Sequence, residues 1–437
     1  MAKGFLQRKA SWEILLKVSS GIYSDLALEK VLLNYKFKQL DIALITEISF
    51  GCIRYRKFLD LWIDHTSKFK HNKQPPKLRW LLHIGLYQLL KMDRIPCSAA
   101  ISTSVEVAKK TDLKGLSGVV NAILRNASLK LKEKDLPFIP DNKVDRISYK
   151  ESLPNWLVEE IITWFGLKKA SIIAASFNKR PNIDLRINPM KTNLDEILLA
   201  LQKENIEASK IKDLKNAIEL KTKSRSIRNL PGYLEGKWFI QDRSSQWVAT
   251  LLDPKKGDKI LDACAAPGSK TTHLAEIIED KGEIWALDKS EYRLKLLREN
   301  LKRLNIKCVQ VHKEDSTNLT NIKPDLISYF DKILIDAPCS GIGTFARNPD
   351  ARWSLNKRKI DQLISLQAKL LNCIFPLLKK NGKLVYSTCT ICPKENNLLI
   401  KNFLENNSHI HLVSEKQILP SYTESGDGFY AAIMTYL

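Results

Sequence analysis

Apolar residues recur at helical spacing from the start of the chain to about residue 130. Trp12, Leu15 and Leu16 make the first apolar face, closed by Gly21, and Asp25 is placed to cap a second helix over 26–35. A long amphipathic stretch covers 41–66. Pro75 and Pro76 then open a helix with Trp80, Leu81, Ile84 and Tyr87 on one side, because proline at a first helical position forfeits no intrahelical bond. Segments 98–110 and 116–129 complete an all-α bundle, in which Cys52 and Cys97 read as small buried hydrophobes.

Beyond it the pattern changes twice. Residues 136–145, with Pro137 and Pro140 among charges, read as a linker. A smaller unit runs to about residue 235, with helices near 156–165 and 193–203 around Ile183-Asp-Leu-Arg-Ile-Asn188, which alternates like a half-buried strand. From about residue 236 short apolar runs alternate with helical stretches: strands at 259–263, 283–287, 308–312, 332–336 and 383–388, helices at 270–278, 291–304 and 357–375. That alternation predicts a doubly wound parallel sheet with right-handed crossovers. The expected fold is thus multidomain: an all-α bundle at 1–135, a small α+β linker domain at 146–235 and an α/β Rossmann-like domain at 236–437.

Charge adds a partner to this picture. Seventy Lys and Arg against 48 Asp and Glu leave a net +22 over 437 residues, which attracts polyanions, although a general drift toward lysine would give the same excess. The basic residues gather at 68–73 and 210–228, so the small α+β unit reads equally as an RNA module or a spacer. Eight scattered cysteines make no disulfide framework, the longest apolar run (80–90) is too short for a bilayer, and the first ten residues hold no signal core. A soluble cytoplasmic protein is expected, with no membrane, no metal and a monomeric state. His65, His71 and His83 lack partners at ligand or catalytic spacing and read as ordinary histidines.

The chemistry lies at the strand ends, where open α/β sheets bind ligands. The first turn, Asp262-Ala-Cys-Ala-Ala-Pro-Gly-Ser-Lys270, lacks both the dinucleotide glycine pattern and a phosphate-binding P-loop. Asp288, Asp315 and Asp336 follow at successive strand ends. A carboxylate there accepts hydrogen bonds from ribose hydroxyls, so an adenosine without phosphates, as in S-adenosylmethionine, fits the set. Asp336 also opens a loop carrying Cys339, and a later strand ends at Cys389. Amine methylation needs no thiol, whereas carbon 5 of a pyrimidine is a poor nucleophile until a thiolate adds to carbon 6. Two thiols beside an aspartate therefore point to methylation of a pyrimidine carbon. Cys308 and Cys373, inside apolar runs, are expected to be buried. Cys389 and Cys392 spell Cys-x-x-Cys, but no second pair completes a zinc site and the context is not that of a redox helix.

Several longer motifs carry a family resemblance. Cys264-Ala-Ala-Pro-Gly-Ser-Lys270, Asp336-Ala-Pro-Cys-Ser-Gly341, Ser387-Thr-Cys389 with Pro393-x-Glu395-Asn396, Gln241-Asp242-x-Ser-Ser245, Arg347-Asn-Pro-Asp-x-x-Trp353 and Asp427-Gly-Phe-Tyr430 resemble the RNA (cytosine-5) methyltransferases of the NOP/Sun group. His83-Ile-Gly-Leu-Tyr-Gln-Leu89 and Val120-Asn-Ala-Ile-Leu-Arg125 are similar to the NusB-like helical domain, which binds RNA. Together they resemble the Sun/RsmB family across essentially the whole chain. The resemblance implies S-adenosylmethionine-dependent methylation of carbon 5 of cytosine 967 in 16S ribosomal RNA; the alternatives are a tRNA cytosine-5 methyltransferase and a non-enzymatic RNA-binding factor, the latter opposed by the intact Cys339, Cys389 and three aspartates. It implies a cofactor loop of Cys264, Ala265, Ala266, Pro267, Gly268, Ser269 and Lys270, with Asp288 on the ribose, Asp315 near the adenine and Asp336 beside methyl donor and base. It further implies Cys389 as nucleophile and Cys339 as the releasing cysteine. Ser269 departs from the glycine often found there, which is expected to alter the turn.

Overall fold

The structure, a computed structural model, describes residues 4–221, 227–421 and 426–436. Lys223 and Arg225, within the basic run expected at 210–228, lie outside the described residues. The chain forms two compact units, 1–178 with 348–354, and 179–347 with 355–437.

The first unit is helical: α1 (Phe5–Ser19), α2 (Ser24–Leu32), α3 (Gln39–Arg54), α4 (Arg56–Thr66), α5 (Pro76–Lys91), α6 (Cys97–Lys109), α7 (Ser117–Lys132), α8 (Lys143–Glu151) and α9 (Asn155–Ser176). Their apolar stripes converge on a core that includes Trp12, Leu15, Ile48, Trp62, Leu81 and Leu124. The stretch 41–66 is two helices, because Tyr55 leaves the helical region (φ −97°, ψ 18°) while the apolar period continues past it. Asp25 sits in the first turn of α2, which begins at Ser24 without a side-chain cap. The expected linker overlaps α8, capped by Asn142 accepting from the Asp145 amide. Helix α9 extends beyond the sequence reading, kinked where Gly166 has φ +76°. Cys52 is buried, but Cys97 is exposed as the first residue of α6. The histidines each meet a carboxylate: His65 with Asp135 (3.0 Å), His71 with Asp64 (2.9 Å) and the buried His83 with Asp60 (2.8 Å). Residues 348–354 pack in this unit, where Trp353 donates through Nε1 to the Ile53 carbonyl (2.7 Å) and Ser24 through its hydroxyl to Asp350 (2.7 Å).

The second unit holds two sheets. In the smaller one, β1 (Ile183–Ile187), β2 (Ala208–Lys210), β3 (Ala217–Leu220) and β4 (Trp238–Ile240) lie in the order β2-β3-β1-β4, all pairs antiparallel, with α10 (Leu194–Lys203) between β1 and β2. Only β1 was legible from alternation; strands of three or four residues carry too little of the period.

Among the described residues the larger sheet has seven strands in the order β10-β11-β9-β8-β5-β6-β7. They are β5 (Lys259–Asp262), β6 (Glu283–Leu287), β7 (Val309–His312), β8 (Phe330–Asp336), β9 (Leu378–Thr388), β10 (Ile410–Ile418) and β11 (Phe429–Tyr436). The helices α11 (Arg243–Leu251), α12 (Ser269–Ile277), α13 (Glu291–Leu304), α14 (Leu319–Ile322), α16 (Lys357–Ile374) and α17 (Asn397–Glu405) punctuate it, while α15 (Ala351–Ser354) belongs to the first unit. Strands β5 to β9 are parallel, but β11 pairs antiparallel with β9 and with β10, so the sheet is mixed rather than wholly parallel. The segment joining Ile418 to Phe429 is too short for a crossover helix, and a short connection makes an antiparallel pair. The chain winds outward from β5 through β6 to β7 and then crosses to β8, which puts the topological switch point between β5 and β8. Among the described residues no helix is long and apolar enough to cross a membrane.

Candidate active site

Strand β5 ends in Asp262, wholly buried, with Oδ2 accepting from the Thr271 hydroxyl (2.7 Å) and Oδ1 without a partner. Burial pushes this carboxyl up to about 7, and the neighbouring Asp336 adds to the rise. Residues 263–268 then turn into α12. Gly268 has φ +103° at the N-cap, which favours glycine, and a Cβ there would stand 2.3 Å from Leu297 Cδ1 and push that side chain aside. The left-handed residue is 268, and Ser269 is already the first residue of α12. Ser269 thus occupies an ordinary helical position, which takes serine without strain. The carbonyl of Ser269 is held by Arg186 Nη1 (2.6 Å), whose guanidinium also pairs with Glu276 (2.8 Å), both charged side chains being buried. Strand β1 thus braces α12, whose first residue follows the loop. The Cys264 thiol is half-buried and pushed up, first by burial and then by Asp262 and Asp336.

At the next strand end Asp288 is buried, accepts from the Ser290 amide (2.8 Å) and meets Arg293 (3.1 Å). Arg293 also donates to the Ala266 carbonyl, so strand end and loop are tied together. Asp315 stands apart. It follows β7, is exposed, and among the described residues its hydrogen bonds stay within its own turn, to the Thr317 amide (2.9 Å) and hydroxyl (2.7 Å). Those bonds hold its carboxyl below the usual range.

Asp336 closes β8 with its side chain 31% exposed, open to a ligand. Ser387 donates to its Oδ1 (2.9 Å) and Lys270 to its Oδ2 (2.7 Å). Lys270 is otherwise buried, its Nζ 5.1 Å from the centre of the Phe429 ring. Parallel pairing sets Asp336 opposite Ser387, so the loops leaving β8 and β9 run side by side. That register brings Cys339 and Cys389 together: their sulfurs are 3.3 Å apart and both are half-buried. The Cys339 thiol is pushed well up by its hydrogen bond to Cys389 and by burial.

Residues not assigned from the sequence hold this pair. Glu395 accepts from the Ser340 amide (2.8 Å) and from Gln367 Nε2 (3.0 Å), pinning the loop after β8. Gly343 donates to the Cys389 carbonyl (3.1 Å), and Gly428 donates to the Gly343 carbonyl (2.9 Å). Glu395 and Gly428 lie inside quoted motifs, so their presence was legible while their contacts were not. Cys392 is buried and hydrogen-bonds Thr390 through its amide. Cys308 and Cys373 are half-buried rather than buried, since β7 is an edge strand and α16 has a solvent side.

In a chain of net charge +22, the strand ends at and beside the switch point present Asp262, Asp288 and Asp336, with an unpartnered buried carboxylate oxygen on Asp262. Such an acceptor set suits a cationic, hydroxyl-bearing ligand such as S-adenosylmethionine and not a phosphate, and the fold is that of a Rossmann-like methyltransferase. Residues 249–435 match the family described as 16S rRNA methyltransferase RsmB/F, residues 6–129 the NusB family, and residues 153–226 the ferredoxin-like domain of RsmF/B-like methyltransferases. A relative from Synechocystis sp., named "Probable ribosomal RNA small subunit methyltransferase B", is 39% identical over 88% of this chain and 85% of its own. The ribosomal RNA small subunit methyltransferase B of Escherichia coli is 35% identical over 92% of each chain. A crystal structure described as that of PH0851 aligns with TM-score 0.85 at 25% identity, over 100% of this chain and 99% of the other. The chain belongs to the ribosomal RNA small subunit methyltransferase B family.

Proposed function

We propose that the protein methylates carbon 5 of a cytosine in 16S ribosomal RNA, cytosine 967 by family resemblance, through a covalent bond from Cys389 to carbon 6. The observation that carries this reading is the 3.3 Å approach of the Cys339 and Cys389 sulfurs at adjoining strand ends, since methylation at nitrogen has no use for either thiol. Cys339, pushed well up by its hydrogen bond to Cys389 and by burial, keeps its proton, and Cys389 is the sulfur that attacks, as its thiolate. The thiolate adds to carbon 6, and the carbon 5–carbon 6 π pair becomes available at carbon 5. Asp336 meets the N3 and N4 edge of the ring, with Lys270 offsetting the charge that gathers there. When bound, S-adenosylmethionine supplies an electrophilic methyl group to carbon 5. Loss of the carbon 5 proton to a base, assisted by Cys339, restores the double bond and expels Cys389 as thiolate.

The loop from Cys264 to Lys270 would hold the methyl donor, with Asp288 accepting from the ribose hydroxyls, Asp315 near the adenine and Asp336 beside the methyl group. The α+β segment 146–235 supports a catalytic segment 236–437, while the helices of 1–135 engage RNA. The reaction is cytoplasmic and needs one copy of the chain.

A denaturing gel tests the chemistry. Wild type, Cys339→Ala and Cys389→Ala are each incubated with unmodified 16S ribosomal RNA and methyl donor. A protein–RNA adduct is expected with Cys339→Ala and none with Cys389→Ala. The opposite pattern reverses the two roles; methyl transfer to tRNA but not to 16S ribosomal RNA overturns the substrate.

A further inference from the structure

The chemistry leaves the run Val120-Asn-Ala-Ile-Leu-Arg125 unexplained. Val120, Ile123 and Leu124 pack in the helical core, but packing does not account for Asn121 or the exposed Arg125. On α7, Asn121, Arg125, Ser128 and Lys132 recur at helical spacing on one face. Helix α6 answers with Ser98, Ser102, Val105 and Lys109, while its Ala100, Val107 and Ala108 are buried. Between the two faces lies an open groove of about 800 Å³. The short connection from Lys109 to Ser117 makes the helices antiparallel neighbours. Lys109 and Lys110 therefore stand at one end of the groove, Lys132 at the other and Arg125 between, all exposed. Among the described residues none of these four cations has an ion pair or hydrogen bond, and Glu106 is the single carboxylate in the lining.

We propose that this groove binds the sugar–phosphate backbone of the RNA substrate, an inference that rests on the RNA reading above. Unpaired cations spaced along a channel, interleaved with Ser and Asn donors, match a line of phosphates and ribose hydroxyls. Among the described residues no aromatic ring lines the groove, so it offers no platform for base stacking and grips RNA without reading its sequence. An acidic protein would need apolar or aromatic anchors, and the groove offers only Ile101 and Val105. Helix α6, with 13 residues, gives a length of about 20 Å, enough for several phosphates.

The test uses the full chain with Lys109, Lys110, Arg125 and Lys132 all changed to Gln, and a control with Lys295, Lys302, Lys307 and Lys401 changed to Gln. Filter binding to a 16S ribosomal RNA fragment across a salt series is measured beside methyl transfer at saturating RNA. The groove variant is expected to bind roughly 10- to 100-fold more weakly, with a salt slope reduced by about 3, while transfer at saturation stays near wild type. Equal affinity in groove variant and control overturns the proposal and turns the groove toward a protein partner. Failure of wild type to bind or methylate the RNA overturns the underlying reading instead. Arg125→Gln beside Arg125→Lys repeats the comparison with one exposed side chain, so a folding defect in the multiple variant cannot stand in for lost binding.

Discussion

The guanidinium of Arg347 joins Asp427 to Asp242: Nε donates to Asp427 (2.7 Å) and Nη2 to Asp242, while Nη1 takes the Asn182 carbonyl (2.9 Å). Residues 182, 242, 347 and 427 are thereby fastened at one point, and from Gly428, next to Asp427, two backbone hydrogen bonds lead on, Gly428 N–H to the Gly343 carbonyl and Gly343 N–H to the Cys389 carbonyl.

Burial pushes Asp427 up to about 7, followed by repulsion from Asp242, with Arg347 offsetting part of the rise. Removing the cation leaves two buried carboxylates facing each other. Arg347→Gln is expected to cost about 3–5 kcal/mol of stability and to lower the single-turnover methylation rate more than RNA affinity. Arg347→Lys, which cannot bridge both carboxylates in the same plane, is expected to recover part of each. Thermal melts and single-turnover assays of the two variants check this; unchanged rates in Arg347→Gln would remove the link to Cys389.

Asp262 makes stability depend on pH. Its carboxyl titrates at about 7 in the folded chain and about 3.9 unfolded, so the fold binds a proton that the unfolded chain has released. The contribution is complete below the unfolded value and is lost as pH rises through 7. Asp262→Asn removes that dependence. Relative to wild type the variant is expected to gain on the order of 2–4 kcal/mol between pH 5 and pH 8, read from urea unfolding at each pH. A difference that does not move with pH would refute the buried-proton account.

At Gly343 a Cβ would lie 2.1 Å from the Gly428 carbonyl oxygen and 2.8 Å from that of Cys389, both backbone atoms that cannot swing aside. Gly343→Ala is expected to lose about 1–3 kcal/mol and to shift the Cys389 loop. Alkylation of Cys389 by iodoacetamide, followed by peptide mass spectrometry, should change in rate in the folded variant. A wild-type rate would show that the loop absorbs the methyl group.

The pairing of Arg186 with Glu276 is a buried bidentate one that also fixes the Ser269 carbonyl. Arg186→Lys supplies charge without the fork and is expected to destabilise by about 2–4 kcal/mol. Binding of S-adenosylmethionine, measured by calorimetry at a temperature where the variant is folded, should weaken because α12, which follows the loop, loses its brace. Unchanged affinity would confine Arg186 to stability.

How far the chain alone could be read follows from the range of each interaction. Period and burial preference are local, so the spacing of Trp80, Leu81 and Ile84, and the runs ending at Asp262, Asp336 and Thr388, determined the helical first part, the α/β last part and the loops where chemistry would sit. The loop positions of Cys264 to Lys270, Cys339 and Cys389 at strand ends were legible for that reason. Tertiary structure decided which loops become neighbours. Register between β8 and β9 brings Cys339 to Cys389 across fifty positions of sequence, and β1, a single strand in the sequence reading, delivers Arg186 to Ser269, Thr272 and Glu276 of α12. It also turned β10 and β11 antiparallel and left Asp315 hydrogen-bonded within its own turn. Strand order, register and the pairing of buried charges depend on groups far apart in the chain, and their free energy exists only once the sheet has closed.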